Sequence, residues 1–300
     1  MVFHKIELAD WEWIATYCRQ SDTRQLNYCF EVLFLWRDIC DFEVAEQDGF
    51  LFIKTFHLSK HNFLFPLGEG DLKAALEVME AYSAEKGCEF QLFQINERQK
   101  TQIEQLYPER YTFEPSRDEF EYLFESERLA NLKGKKLQPK RNHINYFTQH
   151  NDWSFDVMTE DDILEVMMFS HRWDNSVDIS VGSALNMENS ALMNVFESFS
   201  CLHLQGGILR VEGRIVAFAI GCPLSSDTYL ILFEKAEASA RGAYAMINRE
   251  FVRCFCADFQ YVNRAEDNGD EGLRQAKLSY YPDILQEVFV MRRTVLQNLN

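Results

Sequence analysis

Residues 132–147 read LKGKKLQPKRNHINYF. The chain around them is strongly acidic, at a formal net charge of −17, yet no Asp or Glu occurs from Arg128 to Asn151. Arg128, Lys133, Lys135, Lys136, Lys140 and Arg141 all fall in that window. The segment just before it is the opposite, with Glu114, Asp118, Glu119, Glu121, Glu125 and Glu127. A cationic island in an acidic protein concentrates field locally and draws anions without making the whole surface adhesive. Gly134 and Pro139 break the run into a turn and a helix start. A solvated basic helix face would show the same charges, but it needs neither those turns nor Tyr146 and Phe147 anchoring its end. The island therefore reads as an anion-binding surface: Lys135, Lys136, Lys140 and Arg141 supply charge, and Asn142, His143 and Asn145 supply hydrogen bonds that orient the anion, His143 as a donor.

Outward from the island, the composition is that of an ordinary soluble protein, 47% hydrophobic and 26% charged. Three hundred residues suffice for one large or two ordinary domains with real cores. No stretch approaches the ~20 apolar residues a membrane span needs. MVFHKIELADWEW carries acids where an export signal needs an apolar run, so a cytoplasmic location is expected. The eight cysteines form no CxxC pair and have no His at zinc-finger spacing. No metal site is expected, and they read as buried thiols of a reducing compartment.

Periodicity predicts a helix opening near Asp10, a second over Leu26–Ile39, and a hairpin of Gly49–His57 with Asn62–Pro66. Asp71 caps the next helix, followed by a strand (Glu89–Gln94), a helix (Glu97–Leu106), and a strand or strand pair between Tyr111 and Phe124. The second half repeats the order. Trp153–Val157 is a strand, Thr159 and Asp162 resemble an acidic capping box, and a helix spans Ala184–Phe199. A hairpin turns at Glu212-Gly213-Arg214, then come a strand (Thr228–Phe233), a helix (Ala243–Cys256), a strand (Phe259–Val262), a short helix (270–278) and a last strand (Leu285–Arg292). Interleaved helices and strands argue for a mixed α/β sheet in each half. The boundary is expected near 150, giving domains 1–150 and 151–300, with the island on the connector.

LKGKKLQPKRNHINYF resembles the signature of a bacterial family related to the soluble C-terminal part of phosphatidylglycerol lysyltransferase. The resemblance continues in FEKAEASARGAYAMINREF (233–251) and YVNRAEDNGDEGLRQAKLSYYP (261–282), and more weakly in FLWRD (34–38) and FPLGEGD (65–71). It implies two tandem N-acetyltransferase-like (GNAT) domains, the architecture also used by FemABX-type aminoacyl transferases. In such a sheet the fourth and fifth strands splay, the acyl carrier enters the splay, and the next helix receives its pyrophosphate.

Here that helix begins at Arg241-Gly242-Ala243, where Gly242 would let the backbone approach a phosphate and Arg241 would add charge. An ordinary glycine at a helix start is the plain alternative. The Q/R-x-x-G-x-G/A pattern of acetyltransferases is not matched, a departure that counts against acetyl-CoA and leaves room for another activated donor, so acyl-CoA or aminoacyl-tRNA is the expected donor. At the equivalent place in the first half, Glu69 and Asp71 would repel phosphate, so the second half is expected to be the active one.

Amide formation needs a base and a donor for the oxyanion. Glu234 is the first candidate base and Asp267 the second, although pairing of Glu234 with Lys235 or Arg241 would fit the sequence as well. Asn263 either donates to an oxyanion or caps a turn. Tyr280 and Tyr281 are late proton donors or packing residues. Glu188 matches an acidic position of the family and is implied to bind a substrate amine. Three classes follow: an acyl- or aminoacyl-transferase, a non-catalytic module sensing a phosphorylated or nucleotide ligand, and an RNA binder. The −17 charge argues against general nucleic-acid affinity but is compatible with local contact to a tRNA acceptor end.

Overall fold

The computed structural model describes residues 1–57, 60–175 and 182–294; of the expected hairpin turn at 59–61, residue 59 lies outside them, while Lys60 and His61 belong to a strand. The chain forms two compact units. One holds Met1–Glu121, Glu266–Glu271 and the described residues from Leu285 on; the other holds Tyr122–Ala265 and Gly272–Ile284.

The first unit carries helices α1 (Trp11–Ser21), α2 (Phe30–Leu35), α3 (Leu72–Glu85) and α4 (Glu97–Leu106). Its strands are β1 (His4–Lys5), β2 (Glu43–Gln47), β3 (Phe50–His57), β4 (Lys60–Phe63), β5 (Leu67–Gly68), β6 (Gln91–Ile95) and β7 (Tyr111–Pro115). They form one sheet in the order β1-β2-β3-β4-β6-β15-β7, with β5 beside β3 and β15 (Phe289–Arg293) taken from the end of the chain. Asp71 caps α3 as the sequence predicts, its carboxylate accepting the Ala74 N–H at 3.1 Å. Asp10 precedes α1 but does not cap it; its carboxylate accepts from the Glu7 N–H at 2.8 Å and from the Trp13 indole at 3.0 Å. The helix expected over Leu26–Ile39 is a 3₁₀ turn at Leu26–Tyr28 followed by α2.

The second unit holds β8 (Glu121–Glu125), α5 (Ser126–Asn131), α6 (Gln138–His150), β9 (Trp153–Val157), α7 (Ile163–Asp174) and α8 (Gly182–Ser198). Then come β10 (Gln205–Val211), β11 (Arg214–Pro223), β12 (Thr228–Ala236), α9 (Ala243–Phe255), β13 (Tyr261–Asn263), α10 (Glu271–Leu278) and β14 (Ile284–Gln286), whose last two residues count with the first unit. Their sheet runs β14-β8-β13-β12-β11-β10-β9. The Thr159–Asp162 capping box is present, with the Thr159 N–H donating to Asp162 at 2.9 Å.

In each sheet a parallel pair, β4 with β6 and β12 with β13, is followed by an antiparallel strand from the other half of the chain. The expected boundary near 150 is thereby corrected to 121/122. The strands flanking Phe120, read together in the sequence, enter different sheets, and the last strand returns to the first. The basic island lies inside the second unit and not on a connector. Among the described residues no helix is long and apolar enough to cross a membrane. Of the cysteines expected to be buried, Cys18, Cys29, Cys222 and Cys256 are, whereas Cys201 and Cys254 are exposed.

In the second unit α5, α6 and α9 form a connected layer, with α9 on the sheet and α5 and α6 against α9, while α7 contacts β11 and β12. Gly242, at φ +93°, begins α9 under α6. A Cβ there would overlap the His143 carbonyl and lie 3.1 Å from the Phe147 Cβ. Gly134, at φ +95°, has nothing within 4 Å of the same position. Gly134→Ala should therefore cost only the left-handed backbone strain, ~1–2 kcal/mol. Gly242→Ala should add the repacking of α6 on α9, another ~1–3 kcal/mol. Denaturant titration of the two variants checks this, and equal losses would show that the α6–α9 approach is not tight.

Candidate functional site in the second unit

The parallel register of β12 and β13 holds for three pairs, Thr228 with Tyr261, Tyr229 with Val262 and Leu230 with Asn263. β13 then stops while β12 continues to Ala236 against β11. Asn263 ends the strand: its buried side-chain oxygen accepts the Ala265 N–H at 2.8 Å, and Ala265 turns away at φ +56°. The sheet opens at this point, in the splay the family resemblance implied. Leu232 is an extra residue on β12, because Ile220 faces Phe233 while Gly221 faces Ile231. Such bulges re-aim the side chains that follow. Glu234 then points to the α9 face and Lys235 to the opposite one.

On the α9 face the Glu234 carboxylate accepts from Arg264 at 2.8 Å and from Asn248 of α9 at 2.8 Å. Neither Lys235 nor Arg241 is its partner. Arg264 lies over the ring of the buried Tyr280, 4.8 Å from its centroid. Lys140, on the first turn of α6, lies over the same ring at 4.0 Å. One terminal nitrogen of Arg264 and the side-chain oxygen of Asn248 are buried without a hydrogen-bond partner among the described residues. Burial pushes Lys140 down to about 8; Arg264 adds to the effect and Glu234 opposes it. Burial likewise pushes the Tyr280 hydroxyl up to about 12, so it stays protonated and able to donate at neutral pH.

The island divides into structural and outward-facing parts. Arg141 is committed to backbone: its guanidinium donates to the carbonyls of Leu132 and of Gly134, the latter at 2.8 Å, and to the Gln138 side chain. Asn142 accepts from Gln138 at 2.8 Å. His143 contributes its carbonyl to the contact at Gly242, and its side chain is exposed, as are Lys135 and Asn145. Lys136 is exposed too, its ammonium 5.1 Å from the Tyr281 ring. Arg128 clamps the 280–283 turn, donating to the carbonyls of Tyr280 at 3.0 Å and Tyr281 at 2.6 Å.

At the start of α9 the expected phosphate cradle has other occupants. Gly242 faces His143, the Ala243 N–H donates to the Ala240 carbonyl at 2.9 Å, and the Arg241 guanidinium covers Tyr146 at 4.3 Å. Asp267 belongs to the other unit, fully buried, where it accepts from the Gly269 N–H at 3.0 Å and from Arg117 at 3.1 Å. Glu188 lies on the opposite face of β12, where Lys235 is held by Glu188 at 3.3 Å, Asp174 at 3.0 Å and Asn189 at 3.1 Å, 4.3 Å over the Trp173 ring. The structure thus brings Glu234 and Lys140 together and leaves Asp267 and Glu188 apart from them. It adds two residues the sequence reading passed over, Arg264 and Asn248. Asn248 had a signal, as a lone polar residue among Ala245, Met246, Ile247 and Phe251 on a buried helix face.

The description of the family model that matches residues 19–292 is phosphatidylglycerol lysyltransferase, C-terminal. A conserved protein of unknown function from Bacteroides thetaiotaomicron is 36% identical, with a TM-score of 0.94 over 97% of this chain and 99% of that one. The C-terminal domain of a putative lysylphosphatidylglycerol synthetase from Agrobacterium fabrum is 15% identical, with a TM-score of 0.69 over 96% and 92% of the two chains. A tandem GNAT protein from the clavulanic acid pathway is 8% identical, at 0.50 over 97% and 98%. At those two identities the likeness is one of fold. An uncharacterised protein of Mycoplasmoides gallisepticum is 25% identical over 178 residues, 57% of this chain, and the match spans 55% of that relative.

The lowered Lys140 value has a consequence for stability. Folding disfavours the ammonium form, so the cost is fully present below about 8 and fades as pH rises through the ordinary 10.5, above which the amine is neutral in both states. Lys140→Met should raise the melting temperature at pH 7 and lose that advantage near pH 10.5. A variant no more stable than the parent at pH 7 would show that Lys140 carries no such cost.

Proposed function

The chain belongs to the phosphatidylglycerol lysyltransferase C-terminal family, and on that premise we propose that it is an aminoacyltransferase acting at the β12–β13 splay. The observation that carries the reading is the group of half-buried Glu234 and Arg264 with buried Asn248 at the point where the sheet opens. A carbonyl lying along the unpaired edge of β12 develops negative charge on its oxygen as a nucleophile attacks. The unpartnered nitrogen of Arg264 is a donor suited to that charge, in a site where water is scarce. Glu234, tied to Arg264 and Asn248, acts here as the group that holds the guanidinium in place, a change from its expected role as base. The Tyr280 hydroxyl, protonated throughout the neutral range, is suited to hydrogen bonding with substrate.

The covered start of α9 favours aminoacyl-tRNA over acyl-CoA as donor. A pyrophosphate at that helix end would have to displace α6 from Gly242. The exposed Lys135 and Lys136 instead offer phosphate contacts on the side of α6 that leads to Lys140, suited to a tRNA acceptor end. The acceptor would be an amine or hydroxyl compound.

The test is transfer of a labelled amino acid from aminoacyl-tRNA, with acyl-CoA in parallel and lipid-headgroup and amine acceptors supplied. Label should leave the tRNA and not the CoA ester. Arg264→Met should lower the single-turnover rate ~10²–10³-fold, the scale of losing one oxyanion donor. Lys135→Glu with Lys136→Glu should weaken donor binding and flatten its salt dependence by about 1–2 in log–log slope. Donor binding without turnover in the parent protein would replace this reading with that of a ligand sensor.

A further inference from the structure

The unpaired edge of β12 needs, besides a donor for the oxyanion, a group that moves a proton, and Glu234 is occupied. We infer that Lys140 is that group: its neutral amine takes the proton from the acceptor's attacking nitrogen or oxygen and returns it to the leaving oxygen of the donor ester. The inference rests on the transferase reading above and deepens it.

The geometry sets Lys140 apart from every other cation of the island. Arg141 is bonded to carbonyls, and Lys133 pairs with Glu127 at 3.6 Å with both side chains exposed. Lys140 is half-buried and makes no hydrogen bond or ion pair among the described residues. Its ammonium position faces the Tyr280 ring at 4.0 Å, and the Arg264 guanidinium shares that ring at 4.8 Å. The charged groups that act on it are Arg264, which follows β13, and Glu234 on β12, whose carboxylate is bonded to Arg264 and Asn248. Two cations therefore crowd one ring and one carboxylate, and the carboxylate serves the arginine. A guanidinium does not give up its proton in proteins, so the crowding of the two cations is relieved by loss of the lysine proton. A lysine held this way is suited to general base work near neutrality.

The step balances without any further reactant. The acceptor's nitrogen or oxygen bonds to the acyl carbon, and the carbon–oxygen bond to the donor breaks. The proton released by the nucleophile moves to the Lys140 amine and then to the departing ribose hydroxyl oxygen. Charge that builds on the carbonyl oxygen in between faces Arg264.

Two measurements on the full chain test it. The first needs no turnover. Lysine labelled with ¹³C at Cε, with Lys140→Arg identifying the resonance, should titrate near 8, and a titration at the ordinary value near 10.5 overturns the inference whatever the activity. The second is the pH dependence of single-turnover transfer at saturating aminoacyl-tRNA. The rate should rise about tenfold per unit below pH 8 and level above it. Lys140→Met should lose that limb and about 10²–10⁴ of the plateau rate, the usual range for a general base, with donor binding within twofold of the parent. Small primary amines added to Lys140→Ala should restore part of the rate, more so for the more basic amines. Lys140→Arg keeps the charge but cannot give up its proton, so parent-like transfer by that variant shows that only the charge matters and overturns the inference. If Lys140 titrates near 8 and the parent transfers nothing from any donor, the transferase reading falls and this inference with it. If transfer proceeds and Lys140→Met keeps both rate and limb, only the inference falls.

Discussion

The architecture of the second unit depends on where two parallel strands part. β12 and β13 share only three register pairs, and the Asn263 side chain closes the turn that ends β13. A parallel pair that ended later would hydrogen-bond this stretch of β12 and leave no edge for a substrate. Because it ends early, six residues of β12 run on with a partner strand on one side only. Their alternation puts Glu234 and Lys235 on opposite faces of the sheet. Everything chemical in the unit is then a matter of how each face accommodates a charge that the strand has placed there.

On the α9 face, charge is handled by mutual pairing. A buried carboxylate without partners would shift toward its neutral form, so Glu234 is met by Arg264 and Asn248, and Arg264 is braced on Tyr280. Arg128 in turn fixes the backbone of the turn that carries Tyr280. The guanidinium cannot leave without exposing Glu234, so the arginine is positioned before any ligand arrives. Preorganisation of this kind is what lets a charged donor act on a transition state without reorganising first. The α6 helix closes the remaining side, and its approach over Gly242 both seats Lys140 above Tyr280 and covers the start of α9.

Much of this was legible in the sequence. The helix Glu97–Leu106 is found at its expected bounds, and the 212–214 turn and the two capping residues Asp71 and Thr159 behave as their chemistry predicts. Local signals specify local structure, and these are all local. The strand exchange was not legible, because no periodicity in 111–125 or 284–293 says which sheet a strand will join. Within the island, charge pattern could not separate Arg141, bonded to Leu132 and Gly134, from Lys140, with no hydrogen bond among the described residues, since both read as a cation on a helix. Gly242 was correctly seen as a place of close approach, but the approaching group is the His143 carbonyl. Asp267 and Asn263 lie four residues apart in one quoted motif yet serve different ends, one an ion pair with Arg117 and the other the turn that opens the sheet.

The two lysines beside the splay show how burial and pairing together separate structure from chemistry. Lys235 is the more deeply buried, at 2% exposure, yet it has two carboxylates, an amide oxygen and an aromatic face around it. A cation so surrounded gains from its neighbours what it lost in leaving water, and its charge is what ties α7 and α8 to the central strand. Lys140 is less buried and has almost none of this: a ring it shares with an arginine, and one carboxylate already taken. Depth of burial alone does not account for the lowered Lys140 value; the lack of partners does, because desolvation shifts a titration only to the extent that nothing replaces the lost water. An ionisable group that folding leaves uncompensated is a cost to stability, and such a cost at a place where a sheet has been opened marks the group as one that chemistry, not the fold, requires.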